Sequence, residues 1–411
     1  MPLGPQLDLA FVRAQFPAFV EQSLRDLAFF ENAGGSYACR YVQWRLNRFY
    51  KERKMQPYSP YEPSRASGEE MDEARERMAR IMGVATHEIS FGPSTTQNTY
   101  VLAQAFGDWL EPESAIIVTN QDHEANSGPW RRLARRGIEV REWRMDPETG
   151  HLDPQGLDDL LDDRVQLVCF PHCSNIVGEI NAVADIARRA HAAGAFVCVD
   201  GVSYAPHGFP NVPSLGADIY LFSAYKTYGP HQGVMYISED LGMALPNQGH
   251  YFNSDTLHKR FTPAGPDHAQ VAACAGMADY VDAVYDHHTK AGRDATGRGE
   301  FVHGLMRAQE IRLLEPLMDY VSQKNSLRLL GPSDAGKRAP TVAVVTETRA
   351  EDLVAPLAEH GVLVGGGDFY AHRALEGMGV DPAHGVLRMS FLHYTTPDEV
   401  DRLITALDTV I

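Results

Sequence analysis

From about residue 80 to residue 240, short apolar runs alternate with amphipathic stretches whose apolar positions recur every three or four residues. The runs are short and rich in β-branched and aromatic side chains, as strands are; the stretches have the period of a helix with one face in a core. Strands are predicted at AIIVTN (115–120), VQLVCF (165–170), AFVCVD (195–200) and IYLFSA (219–224). Continuously hydrophobic rather than alternating, they read as strands covered on both faces, which implies an α/β fold with a mainly parallel sheet. Helices are predicted over 69–82, 96–110, 183–194 with Gly194 as a stop, and 397–411. From about residue 290 the pattern becomes a long helix, TVAVVTE (341–347), a helix, GVLVGGG (361–367) and LRMSFL (387–392), a smaller α+β unit. The expected division is an N-terminal arm (1–22), a large domain (23–290) and a small C-terminal domain (291–411).

Composition narrows the function classes. The chain has 411 residues, 44% hydrophobic and 22% charged, which excludes disorder and supports a substantial core. Lys plus Arg number 37 against 54 Asp plus Glu, a net charge of −17 that repels nucleic-acid backbones and anionic membranes. No apolar run approaches the roughly 18 residues of a membrane span. The N-terminal MPLGPQLDLAFVRAQFPAF lacks a basic segment followed by an apolar one, and the five cysteines lack CxxC spacing; the expectation is a cytoplasmic protein in a reducing compartment. Adjacent His287 and His288 point about 100° apart on a helix, so no metal site is expected.

In open α/β sheets ligands bind beyond the C-terminal ends of the strands. Four groups there carry candidate chemistry. GPSTTQN (92–98) leads hydroxyl residues into a helix N-terminus that suits a phosphate, though such a residue is most often simply an N-cap. Asp200 ends the apolar run FVCVD; it either caps a turn or holds a heterocyclic nitrogen protonated. Lys226, in SAYKTYGPHQG (223–233), is either an ordinary snorkelling lysine or an amine nucleophile for an aldehyde. His123, in NQDHEAN, either bonds the backbone or stacks on a flat ligand or relays a proton.

In this order, together with FFENAGGSY (29–37), PHCSNIVGEI (171–180), VDGVSYAPH (199–207) and RMSFLHYTTPDEVDRL (388–403), these motifs resemble the fold type I pyridoxal phosphate (PLP) enzymes, specifically the class V aminotransferases in their cysteine desulfurase-like branch. The resemblance covers nearly the whole chain. It implies a seven-stranded, mainly parallel sheet, with PLP joined to Lys226 as an imine, Asp200 on the pyridinium nitrogen and His123 over the ring. Ser94, Thr95, Thr96 and Ser223 would hold the phosphate, Asn175 would sit near the ring hydroxyl or substrate, and Arg388 would fork onto the carboxylate of a small amino-acid substrate. Asn32 in the N-terminal motif joins the substrate-binding candidates. The resemblance further implies a homodimer with shared sites, in which a turn near Gly265 (AGPD, 264–267) reaches the partner's phosphate.

Departures from the family's pattern shape the expected reaction. Tyr225 stands where His often precedes the lysine, and Ser203 where Gln often follows the Asp; both remain cofactor-binding candidates. The mobile-loop cysteine of the desulfurases is missing, for no cysteine follows Cys274 and the matching stretch reads GVLVGGGDFYAHRAL (361–375). Asp368, Tyr370, His372 and Arg373 there become substrate-selecting candidates, and Tyr58, Tyr61 and Arg65 in the Pro-rich QPYSPYEPSRAS (56–67), expected to be an ordered loop, become candidates to reach the active site or the partner subunit. The expected activity is removal of a β-substituent from a small amino acid without a persulfide. Transamination, epimerisation and a catalytically inactive binding protein are the alternatives; a nucleotide-binding reading of GVLVGGGD lacks the GxGxxG context.

Overall fold

The computed structural model describes residues 6–411; residues 1–5 of the expected N-terminal arm lie outside the described residues. The strands, in chain order, are β1 (Ala28–Phe29), β2 (Ile89–Gly92), β3 (Ala115–Thr119), β4 (Glu139–Trp143), β5 (Val165–Pro171), β6 (Phe196–Asp200), β7 (Ile219–Ser223), β8 (Gly233–Ile237), β9 (Arg328–Leu330), β10 (Thr341–Val345), β11 (Val362–Leu363), β12 (Gly365–Gly367) and β13 (Val386–Ser390). Seven of them form one sheet in the order β2-β8-β7-β6-β5-β3-β4, in which only β8 runs antiparallel to its neighbours. The central strands β3, β7 and β8 are buried at every residue, as their continuous hydrophobicity requires. Edge strand β4 is buried only at Trp143 and carries charge: Arg141 pairs with Glu139 and with Asp162, which discourages pairing with another chain.

A second sheet, β12-β13-β10-β9, is antiparallel, and β1 pairs with β11 in parallel beside it. Ala28 and Phe30 pack into the core of this sheet, whereas Leu7, Val12 and Phe16 before them pack into the large core, so the N-terminal segment joins both. The helix Ala295–Gln323 serves both: Val302, Leu305 and Met306 lie in the large core, and Leu313, Leu317 and Val321 in the small one. No helix among the described residues is long and apolar enough to cross a membrane.

The Pro-rich segment differs from expectation. Its loop ends at Tyr61, the N-cap of a helix, Glu62–Met82, that contains Arg65 and takes Pro63 in its first turn. Proline at that position forfeits no intrahelical hydrogen bond, because the first N–H groups have no partner within the helix. Arg65 is spent on Glu62 and Glu69 of the same helix.

Candidate active site

The C-terminal ends of β5, β6 and β7 open on a cleft of about 470 Å³. Thr95, Thr96, His123, Asn175, Asp200, Ser203, Ser223, Tyr225 and Lys226 all line it, with Pro171, Cys173, Ala125 and Val202 between them. Each arrives by a strand-to-loop transition. Asp200 is the last residue of β6 and opposes Pro171 of β5 and Leu221 of β7, while Lys226 closes the turn that follows β7.

The turn that presents Thr95 and Thr96 is made possible by two missing side chains. Gly92 of β2 and Gly233 of β8 are register partners. A Cβ at Gly233 would come within 2.5 Å of the Ser94 carbonyl carbon, and one at Gly92 would strike the Asn98 side chain. The chain therefore folds flat over the sheet into the helix Thr95–Trp109, whose N-cap Ser94 accepts the Gln97 N–H at 3.1 Å. Thr95 Oγ1 and Ser223 Oγ meet at 2.8 Å in a buried pair that joins this helix start to the end of β7. Ser94 itself is occupied as the cap and does not line the cleft.

Electrostatics separate the three central groups. Burial pushes the Asp200 carboxyl up to about 6, opposed by the Val202 N–H, which donates to its Oδ1 at 2.8 Å, and by the charge of Lys226. Burial pulls the Lys226 amine down to about 8; Arg388 adds to the fall, while Asp200 and Glu31 oppose it. Near neutral pH the cleft thus holds an ionised acid and an amine within reach of its free base. His123 is pulled down to about 3 by burial, reinforced by Lys226 and Arg388, so its imidazole is neutral. Its Nδ1 accepts the Ala125 N–H at 3.0 Å, which assigns the ring proton to Nε2. As a neutral flat ring it is suited to stacking; Tyr370 tilts toward it with centroids 5.6 Å apart.

Arg388 lies on β13, with Leu387 and Met389 facing the small core on the opposite side of the strand. Its Nη1 donates to the Asn175 carbonyl at 3.3 Å and its Nη2 to Glu31 Oε1 at 2.7 Å, with the guanidinium carbon 3.7 Å from the centre of the Phe369 ring. Asn175 Nδ2 donates to the Phe369 carbonyl at 3.0 Å. Phe369 and Tyr370 both adopt positive φ (52° and 57°), and Asp368 Oδ1 accepts the Tyr370 N–H at 2.7 Å; the loop that would have carried a cysteine instead lays Phe369 on Arg388 and holds an exposed Tyr370 beside His123, at the edge of the cleft rather than in its lining. Glu31 and Phe369 were not singled out by the sequence reading. The available signal was the glycine-rich run, because a Cβ at Gly365 would overlap both the Glu31 carboxylate and the Phe369 ring.

Of the expected site residues, Arg388, Asp368 and Tyr370 stand beside the cleft without lining it, and three more lie farther away within one chain. Arg65 is on the helix surface described above. Asn32 borders a smaller cavity behind Lys226, and its amide is used: Nδ2 donates to the Phe29 and Ser390 carbonyls at 3.1 Å each, and Oδ1 accepts the Tyr394 hydroxyl. Gly265 lines a separate cavity with Tyr58, Phe252 and His258. The adjacent His287 and His288 both contact Asp8, through its carboxylate and its N–H respectively.

This donor set fits PLP. A phosphate meets the open N–H groups and hydroxyls at the start of a 15-residue helix. A buried lysine with a depressed pKa suits an aldehyde, and a buried carboxylate suits a ring nitrogen. Asn175 Oδ1 is buried in the cleft without a hydrogen-bond partner, an acceptor left for a ligand hydroxyl.

Comparison with known proteins agrees. The model of the family "Aminotransferase class-V" matches residues 28–290 and 300–403. The chain is 33% identical over 412 residues to the "aminotransferase-like protein FGM3" of Gibberella zeae, covering 97% of this chain and 98% of that one. It is 28% identical over 418 residues to a cysteine desulfurase of Serratia proteamaculans, covering 97% of each. Among solved structures, a cysteine desulfurase of Thermococcus onnurineus NA1 in its apo form superposes with a TM-score of 0.84 at 22% identity, over 98% of both chains. The Escherichia coli cysteine desulfurase CsdA gives 0.81 at 24% identity, again over 98% of both. These two show the same fold, a seven-stranded mostly parallel sheet of PLP fold type I. With its lysine, acid and phosphate cradle in one cleft, the chain belongs to the class V aminotransferases, a PLP-dependent enzyme family that includes the cysteine desulfurases.

Proposed function

We propose that the protein is a PLP-dependent lyase that removes a β-substituent from a small amino acid without passing sulfur to a cysteine. The observation that carries this reading is the state of the thiols. All five cysteines are buried and unpaired. Cys173, the only one lining the cleft, has its thiol pushed up to about 12 by burial, as does Cys39. A nucleophile or sulfur acceptor works as the thiolate, which burial withholds from both. The stretch that would bring a cysteine to the substrate carries Phe369 and Tyr370 instead.

When bound, PLP supplies an electron-withdrawing ring that stabilises negative charge at the substrate Cα. The Lys226 amine, kept near its free base by burial, removes the Cα proton at Nζ. Asp200 keeps a fixed negative charge at the far side of the cleft, and His123 covers its open face. Arg388 offers its remaining N–H groups to the substrate carboxylate, in the paired geometry that guanidinium provides and ammonium does not. A Cβ substituent then leaves with the bonding electrons, and hydrolysis of the resulting enamine gives pyruvate and ammonium.

Incubating the PLP-loaded protein with β-chloro-L-alanine and with L-cysteine separates this reading from its rivals. Pyruvate and ammonium in equal amounts are expected. Accumulation of pyridoxamine phosphate without pyruvate overturns it in favour of transamination, and no turnover with either overturns it in favour of a binding protein.

We also propose a homodimer with shared sites. The cavity beside Gly265 has a volume of about 1040 Å³, and Tyr58 and Phe252 on its rim are 59% and 68% exposed, apolar surface of the kind that a second copy covers. Sedimentation velocity is expected to return a dimer, and Phe252→Asp a shift toward monomer with loss of turnover. A wild-type monomer at concentrations where it turns over overturns the shared site.

A further inference from the structure

Arg388 does not wait as a free cation. Of the positive side chains near the cleft, Arg388 is bound by Glu31, and Arg373 lies 3.4 Å from Glu124. His123 is neutral as described, which leaves Lys226, whose amine the chemistry uses. Carboxylates stand among them. Asp200 stands at the far side of the cleft, Asp368 caps the loop, and Glu31 sits on the arginine with Oε2 buried and unpartnered. The position of Glu31 is built rather than incidental. An isolated bridge joins Glu31 to Ser390, two residues from Arg388, and the Ser390 N–H donates to the Phe30 carbonyl at 2.7 Å. Room for the carboxylate comes from two glycines, since a Cβ at Gly34 would lie 2.7 Å from Oε1 and one at Gly365 would overlap Oε2.

From this arrangement we infer that Glu31 is a specificity-determining residue: by neutralising most of the charge of Arg388 it limits the cleft to amino acids with a single carboxylate and rejects those with an acidic side chain. This inference rests on the amino-acid-binding reading above. The guanidinium retains N–H groups for one α-carboxylate, because Glu31 and the Asn175 carbonyl each take a single donor. Within one protomer a second carboxylate finds no unpaired cation besides Lys226 and meets Glu31 as a like charge. At protein-like effective dielectric such repulsion across several ångströms changes binding by roughly tenfold.

Glu31→Gln keeps the hydrogen-bond acceptor and the volume but removes the charge. Titrating L-alanine and L-aspartate against the PLP-loaded wild type, with the visible cofactor absorption as the readout, is expected to show a preference for alanine. In Glu31→Gln that preference should narrow by roughly tenfold, chiefly through tighter aspartate, while Glu31→Asp should keep it. The same two amino acids are titrated calorimetrically into protein not yet loaded with PLP. An unchanged alanine-to-aspartate ratio in a folded Glu31→Gln protein, by both readouts, overturns the assignment. So does a Glu31→Asp protein that loses the preference, which needs no charge-deleted variant to fold. Failure of the wild type to take up PLP overturns the amino-acid-enzyme reading instead, while the calorimetric ratio still reports on Glu31.

Discussion

Lys226→Ala is expected to lower kcat by roughly 10²–10⁴-fold, the range that a positioned general base contributes, and to abolish the near-visible band of PLP joined to a lysine. The expectation follows from the environment of the residue. A solvated lysine loses its proton near 10.4. Lys226 is 9% exposed, and burial, with Arg388 adding to it, brings its amine to about 8. The sign of the pH dependence is then fixed: the reactive form is the free base, so the rate at which the unloaded protein takes up PLP rises as pH climbs through about 8 and levels off above. Stopped-flow absorbance of PLP uptake across pH 6–10 measures this. A rate that rises only near 10 removes the buried-lysine mechanism, and a Lys226→Ala protein that turns over at the wild-type rate removes it more directly.

Asp200→Asn should be nearly as damaging to turnover, by about 10²–10³-fold, because it deletes a fixed charge in a water-poor site without changing shape. Stability should not fall with it. Burial raises the Asp200 carboxyl to about 6, so the folded protein tolerates the charge rather than gaining from it, and the asparagine Oδ1 can still accept the Val202 N–H. In the wild type the same group gives an acid limb, with activity lost as pH falls through about 6 and the carboxylate is protonated. Thermal unfolding and kcat measured on one preparation test the pair of claims. A melting temperature that drops together with activity would mark Asp200 as structural. Retained kcat would mean that no charge is needed at that end of the cleft.

Much of this site was readable in the sequence, for a physical reason. Lys226, Asp200, His123 and Thr95 each sit where an apolar strand ends or a helix begins, and the strand-to-loop boundary is the kind of signal that hydrophobic pattern carries well. The predicted ends of β3, β5, β6 and β7 fall within one residue of those observed. Less visible were elements whose identity comes from tertiary contact. Strand β2 has four residues and reads as a strand only because β8 runs beside it. The turn before Glu62 ends where a proline ceases to be a breaker and becomes a helix start, a matter of one residue's position. Neither the use of Asn32 as a bracket nor the pairing of Glu31 with Arg388 leaves a local trace, because each depends on a residue more than 350 positions away. Gly365 was legible as a glycine but not as the space that Glu31 and Phe369 occupy.

The distance between those partners along the chain governs the order of events during synthesis. Glu31 leaves the ribosome among the first residues and Arg388 among the last, 357 positions later. By then every strand of the seven-stranded sheet, together with Lys226 and Asp200, has already emerged. A nascent chain halted before β13 therefore has Lys226 but not Arg388, the anchor proposed for a substrate acid, so on that reading competence arrives in a final closing step rather than growing by degrees.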